Sequence, residues 1–559
     1  MNLANGLPCR ILKAIAAATV ALAPVHLHAA QVRLDRADPT ITEQALPQPA
    51  PESRNGIQEA QGGPPIPTVS RVEQVTGTVA AVTVTGAHGI DPARFADVIT
   101  PVIGRELTRS DLRDLAGAVA RVVRAQGYPF ATASIEPQAM SNGVLRVTVD
   151  QGRIDAVRVI GARNAAADAL LVQMLANRQP LTRATLEKAL LLVGDIPGVR
   201  VKDTRYVKQD GFGILLVTIE RDRASAYAQV DNRGSDEVGP VRSTVLASVR
   251  GLAGDGDELG IIVANTPIQP DEFAFVRLRY SAPVDAAGSV LSASASYGRS
   301  NPGASLAALN VVGRSGDVAV AYSRPLLRRR AQSLWSSLEF RAVSIEQMLA
   351  GRLLRNDRLA TLTGSLNGFA GVAGGVARGD VSLVAGLPLS GVTRAGDART
   401  SRADGDARFV TLGYQVEWTT KVTRQLTLAL SSAGQVASRP LLATAEIGLG
   451  GPGYARGYDY AERTGDNGIM GSAELRADTG RVLPGVIDRT QVYGFVDGGV
   501  VGNLREGRGG GALTSTGFGL RGGTGRWDGM VEVALPLNKD RFDARNRSPR
   551  LSLRLSRSF

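Results

Sequence analysis

The sequence predicts a mainly β protein, a transmembrane β-barrel of roughly 16 strands preceded by two small α/β domains. Three observations predict it. From about residue 226 to the end, apolar and polar side chains alternate with period two; before that, one helical segment recurs at an offset of 74 residues. At the N-terminus an export leader is followed by no apolar run of the ~18 residues that a spanning helix requires.

The 559 residues exceed one compact domain and suggest about three. Residues 1–30 read as a cleavable leader. Arg10 and Lys13 form its positive region, residues 11–23 are apolar apart from Lys13 and Thr19, and Ala29 and Ala30 offer a cleavage site. The single cysteine, Cys9, lies inside this segment, so the remaining chain has no thiol for a disulfide, a nucleophile or a metal. Lys+Arg number 64 against 52 Asp+Glu, and removing Arg10 and Lys13 leaves 62 against 52, a net charge of +10. The arginines are dispersed, with only Arg328 to Arg330 forming a run, which reads as a solvated turn; nucleic acid is not an expected partner.

Residues 31–76 form a Pro-rich linker in which only residues 41–46 suggest a helical piece. The two α/β units follow, over 77–152 and 153–222. LTRSDLRDLAGAV from Leu107 returns as LTRATLEKALLLV from Leu181, each opening on a threonine, Thr108 or Thr182, suited to cap a helix. In the first copy Leu112, Leu115, Val119, Val122 and Val123 make one apolar stripe, and Gly127 supplies the stop. Strand-like runs at 79–85, 131–135 and 144–149, then at 154–160, 199–207 and 214–220, complete two units ordered strand, helix, helix, strand, strand. A sheet of this kind leaves edge strands open.

The barrel is expected over 223–559. Leu291, Ala293, Ala295 and Tyr297 alternate with serines; Val531, Val533 and Leu535 alternate with Glu532 and Ala534; Leu551, Leu553, Leu555 and Phe559 share one parity. Alternation with apolar-out parity is how a closed sheet crosses lipid with every backbone group paired. A soluble sandwich alternates similarly, but it would not run this far without a second break. In YGFVDGG, Asp497 shares parity with Tyr493 and Phe495 while Val492, Val496 and Val500 take the other face, which points Asp497 into the lumen. A carboxylate there needs a partner, since unpaired burial is costly.

Several motifs together resemble the two-partner secretion transporters of the hemolysin-activator type. GRELTRSDLRDL, RAQGYPFATASI and NGVLRVTVDQGRIDAVRVIGA resemble that family's polypeptide-transport-associated (POTRA) domains, as does LEKALLLVGDIPGV in the second unit. VDNRGSDEVGP from Val230 is similar to its first barrel strand and turn. GPGYARGYDYAERTGDNG resembles the loop that folds back into the lumen, with Arg456, Gly457 and Tyr458 at the tip, and YGFVDGG resembles a wall motif with Phe495, Asp497 and Gly499. The resemblance implies that Arg456 pairs with Asp497 and pins the loop, with Tyr458 packing against wall aromatics. It also implies that the terminal Phe559 is a barrel assembly signal read by the barrel assembly machinery. Two departures stand out. Ala455 replaces the family's usual valine, and the family's plug helix is not visible in residues 31–67.

The resemblance thus implies an outer-membrane transporter with periplasmic POTRA domains that captures an unfolded secreted partner protein and passes it through the barrel without nucleotide hydrolysis. The alternatives are a barrel assembly (insertase) factor and a passive porin. Catalysis and cofactors are not expected. Of three histidines, His26 and His28 leave with the leader and His88 stands alone. GFGLRG from Gly517 matches a dinucleotide fingerprint only as a string, because sheet-like sequence flanks it. Asp255, Asp257 and Glu258 read as a solvated turn, with calcium binding as the lesser reading.

Overall fold

The computed structural model describes residues 39–44, 46, 77–136, 138, 141–209, 211–482, 485, 487–505 and 507–559; the expected leader and most of the linker lie outside them. The first described element is a short helix, α1 (Pro39–Gln44). A first α/β unit then combines β1 (Ala81–Thr85), α2 (Ala96–Ile99), α3 (Arg109–Ala125), β2 (Thr132–Ser134) and β3 (Val144–Asp150). Its sheet order is β1-β3-β2, with β1 parallel and β2 antiparallel to the centre.

Helix α3 begins where its threonine predicts. Thr108 Oγ1 accepts from Asp111 N (3.2 Å) while Asp111 Oδ2 accepts from Thr108 N (2.9 Å), a reciprocal capping box. Leu112, Leu115, Val119 and Val123 are buried against the sheet, Val122 packs at the margin, and Gly127 ends the helix at φ 101°. The second unit repeats the plan with β4 (Ala156–Gly161), α4 (Ala165–Leu175), α5 (Arg183–Gly194), β5 (Val199–Gln209) and β6 (Phe212–Arg221), in the order β4-β6-β5.

The two units meet in a tight joint. Phe130 of the first stacks on Tyr206 of the second, centroids 4.1 Å apart, and Lys208 pairs with Asp150. Burial, with the fields of Asp150 and Asp155 adding to it, pushes the Tyr206 phenol up to about 12. Gly152, at φ 79°, lies where a β-carbon would sit 2.8 Å from Phe130, so the joint requires a glycine there.

The rest of the chain forms a closed barrel of 16 antiparallel strands. These are β7 (Ala224–Asp231), β8 (Arg242–Arg250), β9 (Glu258–Asn265), β10 (Phe273–Pro283), β11 (Val290–Ser300), β12 (Val311–Arg328), β13 (Gln332–Leu349), β14 (Arg352–Val372), β15 (Gly375–Gly386), β16 (Val410–Lys421) and β17 (Leu426–Ala437). After a small lumenal ribbon, β18 (Ile447–Leu449) and β19 (Arg463–Gly465), come β20 (Asn467–Gly480), β21 (Arg489–Gly502), β22 (Gly511–Thr524), β23 (Trp527–Pro536) and β24 (Arg550–Ser558). Strand β24 pairs with β7 to close the ring. Leu291, Ala293, Ala295 and Tyr297 face outward, as do Val531, Val533 and Leu535, while the alternate residues line the lumen. No helix among the described residues is long and apolar enough to span a membrane.

The chain enters β7 directly from the second α/β unit, so the turns at 251–257, 284–289 and 329–331 lie on that unit's side. They hold it firmly. Arg329 and Arg330 are exposed in the turn, as the sequence suggests, but Arg328 is buried: it grips Asp195 twice, at 2.8 Å each, and lies over Trp335. The reason is position, since the run sits where a barrel turn meets α5. Nor is the 255–258 cluster a free turn. Asp255 accepts from Ala165 N (2.9 Å) at the start of α4 and pairs with Arg221, and Glu258 pairs with Arg250. Asp257 accepts from the backbone of Leu252, Ala253 and Gly254 and from the Tyr280 hydroxyl. No group of three metal-ligating side chains occurs among the described residues.

Burial alone would raise the Asp257 carboxyl, but the N–H of Ala253, the Tyr280 hydroxyl and the N–H groups of Leu252 and Gly254 hold it down at about 2. A depressed carboxyl stabilises the folded turn above its unfolded value and loses that contribution as pH falls through the folded one. The turn is therefore expected to resist pepsin at pH 4 and to be cut at Leu252 as pH approaches 2. In Asp257→Asn the cut should already appear at pH 4.

Candidate functional site in the barrel lumen

The connection between β17 and β20, residues 438–466, is the longest loop joining barrel strands. It leaves the end of the barrel away from the α/β units and dips into the lumen. The dip is built from backbone bends. Gly450 and Gly451 adopt φ 115° and 102°, and Ala455 lies at φ 54°. A β-branched residue is strained at positive φ, which gives alanine a physical advantage over valine at that position.

At the tip, Arg456 is buried against the inner wall of β20 to β23. Its Nε donates to Asp497 Oδ2 (2.9 Å), and Nη1 donates to Glu474 Oε2 (2.7 Å) and Glu532 Oε2 (3.1 Å). Nη2 donates to Ser472 Oγ (3.1 Å) and the backbone N–H to Asp497 Oδ1 (3.3 Å). Its guanidinium lies 3.7 Å from the Phe495 ring centroid. One cation is thus shared among three buried carboxylates. Further cations offset the excess negative charge: Arg233 pairs with Glu532, and Arg476 and Arg521 pair with Glu474. Arg521 also covers the Tyr493 ring at 3.9 Å, and Tyr493 donates to Glu532 (2.9 Å).

The glycines of β22 make this stack fit. Gly517 lies opposite Phe495 and Gly519 opposite Tyr493, and a β-carbon at Gly517 would come 2.6 Å from the Phe495 ring. The string GFGLRG therefore lies inside a strand, as a floor for two rings, with no helix to hold a dinucleotide. Gly517→Ala is expected to lift Phe495 and loosen Arg456 at a cost of about 1–3 kcal/mol. Tryptic cleavage after Arg456, with heat-modifiable gel migration as the control for an intact barrel, reads this out.

Gly457 brings the loop backbone against the wall. Its N–H donates to Ser515 Oγ (3.2 Å), and a β-carbon there would lie 3.0 Å from Pro536 N. Tyr458 is fully buried, but among Leu449, Ala455, Met470, Val501 and Leu513, not against the wall aromatics. Arg456 occupies the aromatic face instead, and the Tyr458 hydroxyl donates to Lys539 O (3.0 Å). Gly499 belongs to the inner face, where a β-carbon would meet Met470 at 2.7 Å. Phe559 lies at the opposite end, exposed, its N–H donating to Ala226 O (2.8 Å) with Arg557 over its ring.

The lumen also holds α1, which sequence reasoning did not place there. Glu43 accepts from Ser315 Oγ (2.5 Å) and lies 4.0 Å from Arg277, and Thr40 bonds Thr444 of the inward loop (3.1 Å). Leu46 is buried with Val238, Phe273 and Phe275. Gly298 leaves the room, since a β-carbon there would come 2.6 Å from Glu43. A polar lumen needs no apolar stripe on its occupant, so periodicity carries no signal. Glu474 and Glu532 were legible in principle, because each sits at inward parity between outward apolar neighbours, as Asp497 does.

The haemolysin secretion/activation protein ShlB/FhaC/HecB family matches residues 213–522, and the ShlB-type POTRA domain matches residues 78–152. The chain belongs to this secretion/activation family. It is an outer-membrane β-barrel transporter with POTRA domains in the periplasm, and the end of the barrel carrying the inward loop therefore faces the cell surface. The heme/hemopexin transporter protein HuxB of Haemophilus influenzae is 22% identical over 391 residues, 68% of each chain. CdiB from Escherichia coli shares the fold with a TM-score of 0.69 and 18% identity, covering 93% of this chain and 95% of that one. BamA from Haemophilus ducreyi lacking POTRA domains 1–3 is similar at a TM-score of 0.53 and 13% identity, over 87% of this chain and 100% of that one.

Proposed function

We propose that the chain captures one unfolded secreted partner protein in the periplasm and passes it through its own lumen to the cell surface, with the Arg456 centre as the control point. The observation that carries this reading is the single guanidinium clasped by Asp497, Glu474 and Glu532 across a pore that also contains α1. Such a lumen is closed by removable parts, which suits an intermittent translocator better than a passive porin. Division into 77–152, 153–222 and 223–559 gives each task a unit. An extended partner segment adds to an open edge of a POTRA sheet, where backbone hydrogen bonds supply affinity with little sequence demand. Phe559, exposed at the end of β24, serves as the signal for the barrel assembly machinery.

The test compares cells with and without this protein. Loss of one secreted protein from the medium, with unrelated outer-membrane barrels at normal levels, is the expected result. A general fall in barrels would identify an assembly factor instead.

A further inference from the structure

A second arginine centre lies at the cell-surface end, apart from the lumen tip. Residues 387–409, between β15 and β16, fold over the base of the inward loop. Val392, Ala407 and Phe409 are buried with Leu441 and Leu442 of the inward loop and with Leu359 and Ala360 of β14. Asp406 N donates to Pro440 O (3.2 Å) and Ala443 N to Ser401 Oγ (3.0 Å). Beside this apolar core, Arg402 Nη1 bonds both oxygens of Asp466 (2.9 and 2.8 Å), and Asp466 also accepts from Leu441 N and Leu504 N, each at 2.7 Å. Arg402 further reaches Asp404 (2.7 Å), Glu446 (3.3 Å) and Leu504 O (2.5 Å). Asp466 has no exposed surface. It is the last residue of the inward loop before β20, so one buried ion pair ties together three cell-surface connections: 387–409, 438–466 and 503–510.

This clasp stands above α1, since Thr444, two residues after the buried Leu442, bonds Thr40. We infer that residues 387–409 and 438–446 are two leaves of a lid over the cell-surface mouth, latched by Arg402 and Asp466, that must part from each other separately from the Arg456 tip before cargo leaves. The inference deepens the transport reading and rests on it. Arg402 and Asp466 act as positioning residues: they hold the base of the loop while Arg456 holds its tip.

The lid can be tested by locking it. In full-length protein with Cys9→Ser, Ser401→Cys and Ala443→Cys are introduced at positions already in contact, and cross-link formation is read by peptide mass. Oxidised protein is expected to release partner at least about tenfold more slowly than the same protein after reduction. Undiminished release with the lid cross-linked would overturn the inference. Failure of the reduced protein and of wild type alike to release the partner would overturn the transport reading. The latch itself is read independently in planar bilayers, where Arg402→Ala is expected to raise the frequency of large openings about tenfold. An unchanged frequency in correctly assembled barrels would overturn the latch.

Discussion

Arg456→Ala is expected to abolish partner release while leaving the barrel assembled. The substitution leaves Asp497, Glu474 and Glu532 facing one another with their shared cation gone. Breaking a buried ion pair from one side costs about 3–5 kcal/mol if the remaining charges stay buried. The loop can avoid that cost by leaving the wall and letting water in, so the docked state should lose about two to four orders of magnitude in population. Arg456→Lys is expected to restore little. An ammonium is a point charge and cannot serve three carboxylates, a serine and the Phe495 face from one fixed plane. Partner in the medium, tryptic cleavage at the tip and heat-modifiable migration together separate a released loop from an unfolded barrel.

The second large effect is expected from Arg328→Ala. Arg328 and Asp195 join β12 to the end of α5 by two parallel bonds, with Arg330 N donating to Glu187 (2.6 Å) nearby. Both partners of the bidentate pair are largely buried, so removing Arg328 takes both of these bonds from Asp195 at the POTRA–barrel joint, at a cost of about 3 kcal/mol. The Asp255 turn, the Arg330–Glu187 bond and Ala286 then seat the second POTRA domain without this pair. Spin-label distances between α5 and the turn at 329–331 are expected to broaden from one narrow population, and release should fall severalfold. Arg328→Lys should give an intermediate width.

Much of this architecture is legible in the sequence. Period-two alternation exposes its own meaning in a membrane barrel, because lipid and lumen impose opposite preferences on adjacent residues. Thr108, Thr182 and Gly127 marked helix ends because caps act on the nearest backbone groups and leave a local trace. The inward parity of Asp497 could be read from three valines. What could not be read was long-range partnership. Arg328 and Asp255 looked like surface charges because nothing local says that a barrel turn will meet α4 and α5. Arg402 and Asp466 lie 64 residues apart and carry no motif. The short α1, whose described contacts are chiefly polar, has no periodic stripe because it packs in a polar lumen. Gly517 was ambiguous as a string and became informative only opposite Phe495.

The most direct measurement of the central claim is photo-crosslinking of a partner stalled in transit by a fused, stably folded domain. Asn367 and Gln415 face the lumen on β14 and β16, while their neighbours Leu366 and Val416 face lipid. A crosslinker at the first two positions, and not at the second two, is expected to capture the stalled partner. Equal capture at all four, or capture at the lipid-facing pair alone, would contradict passage through the lumen.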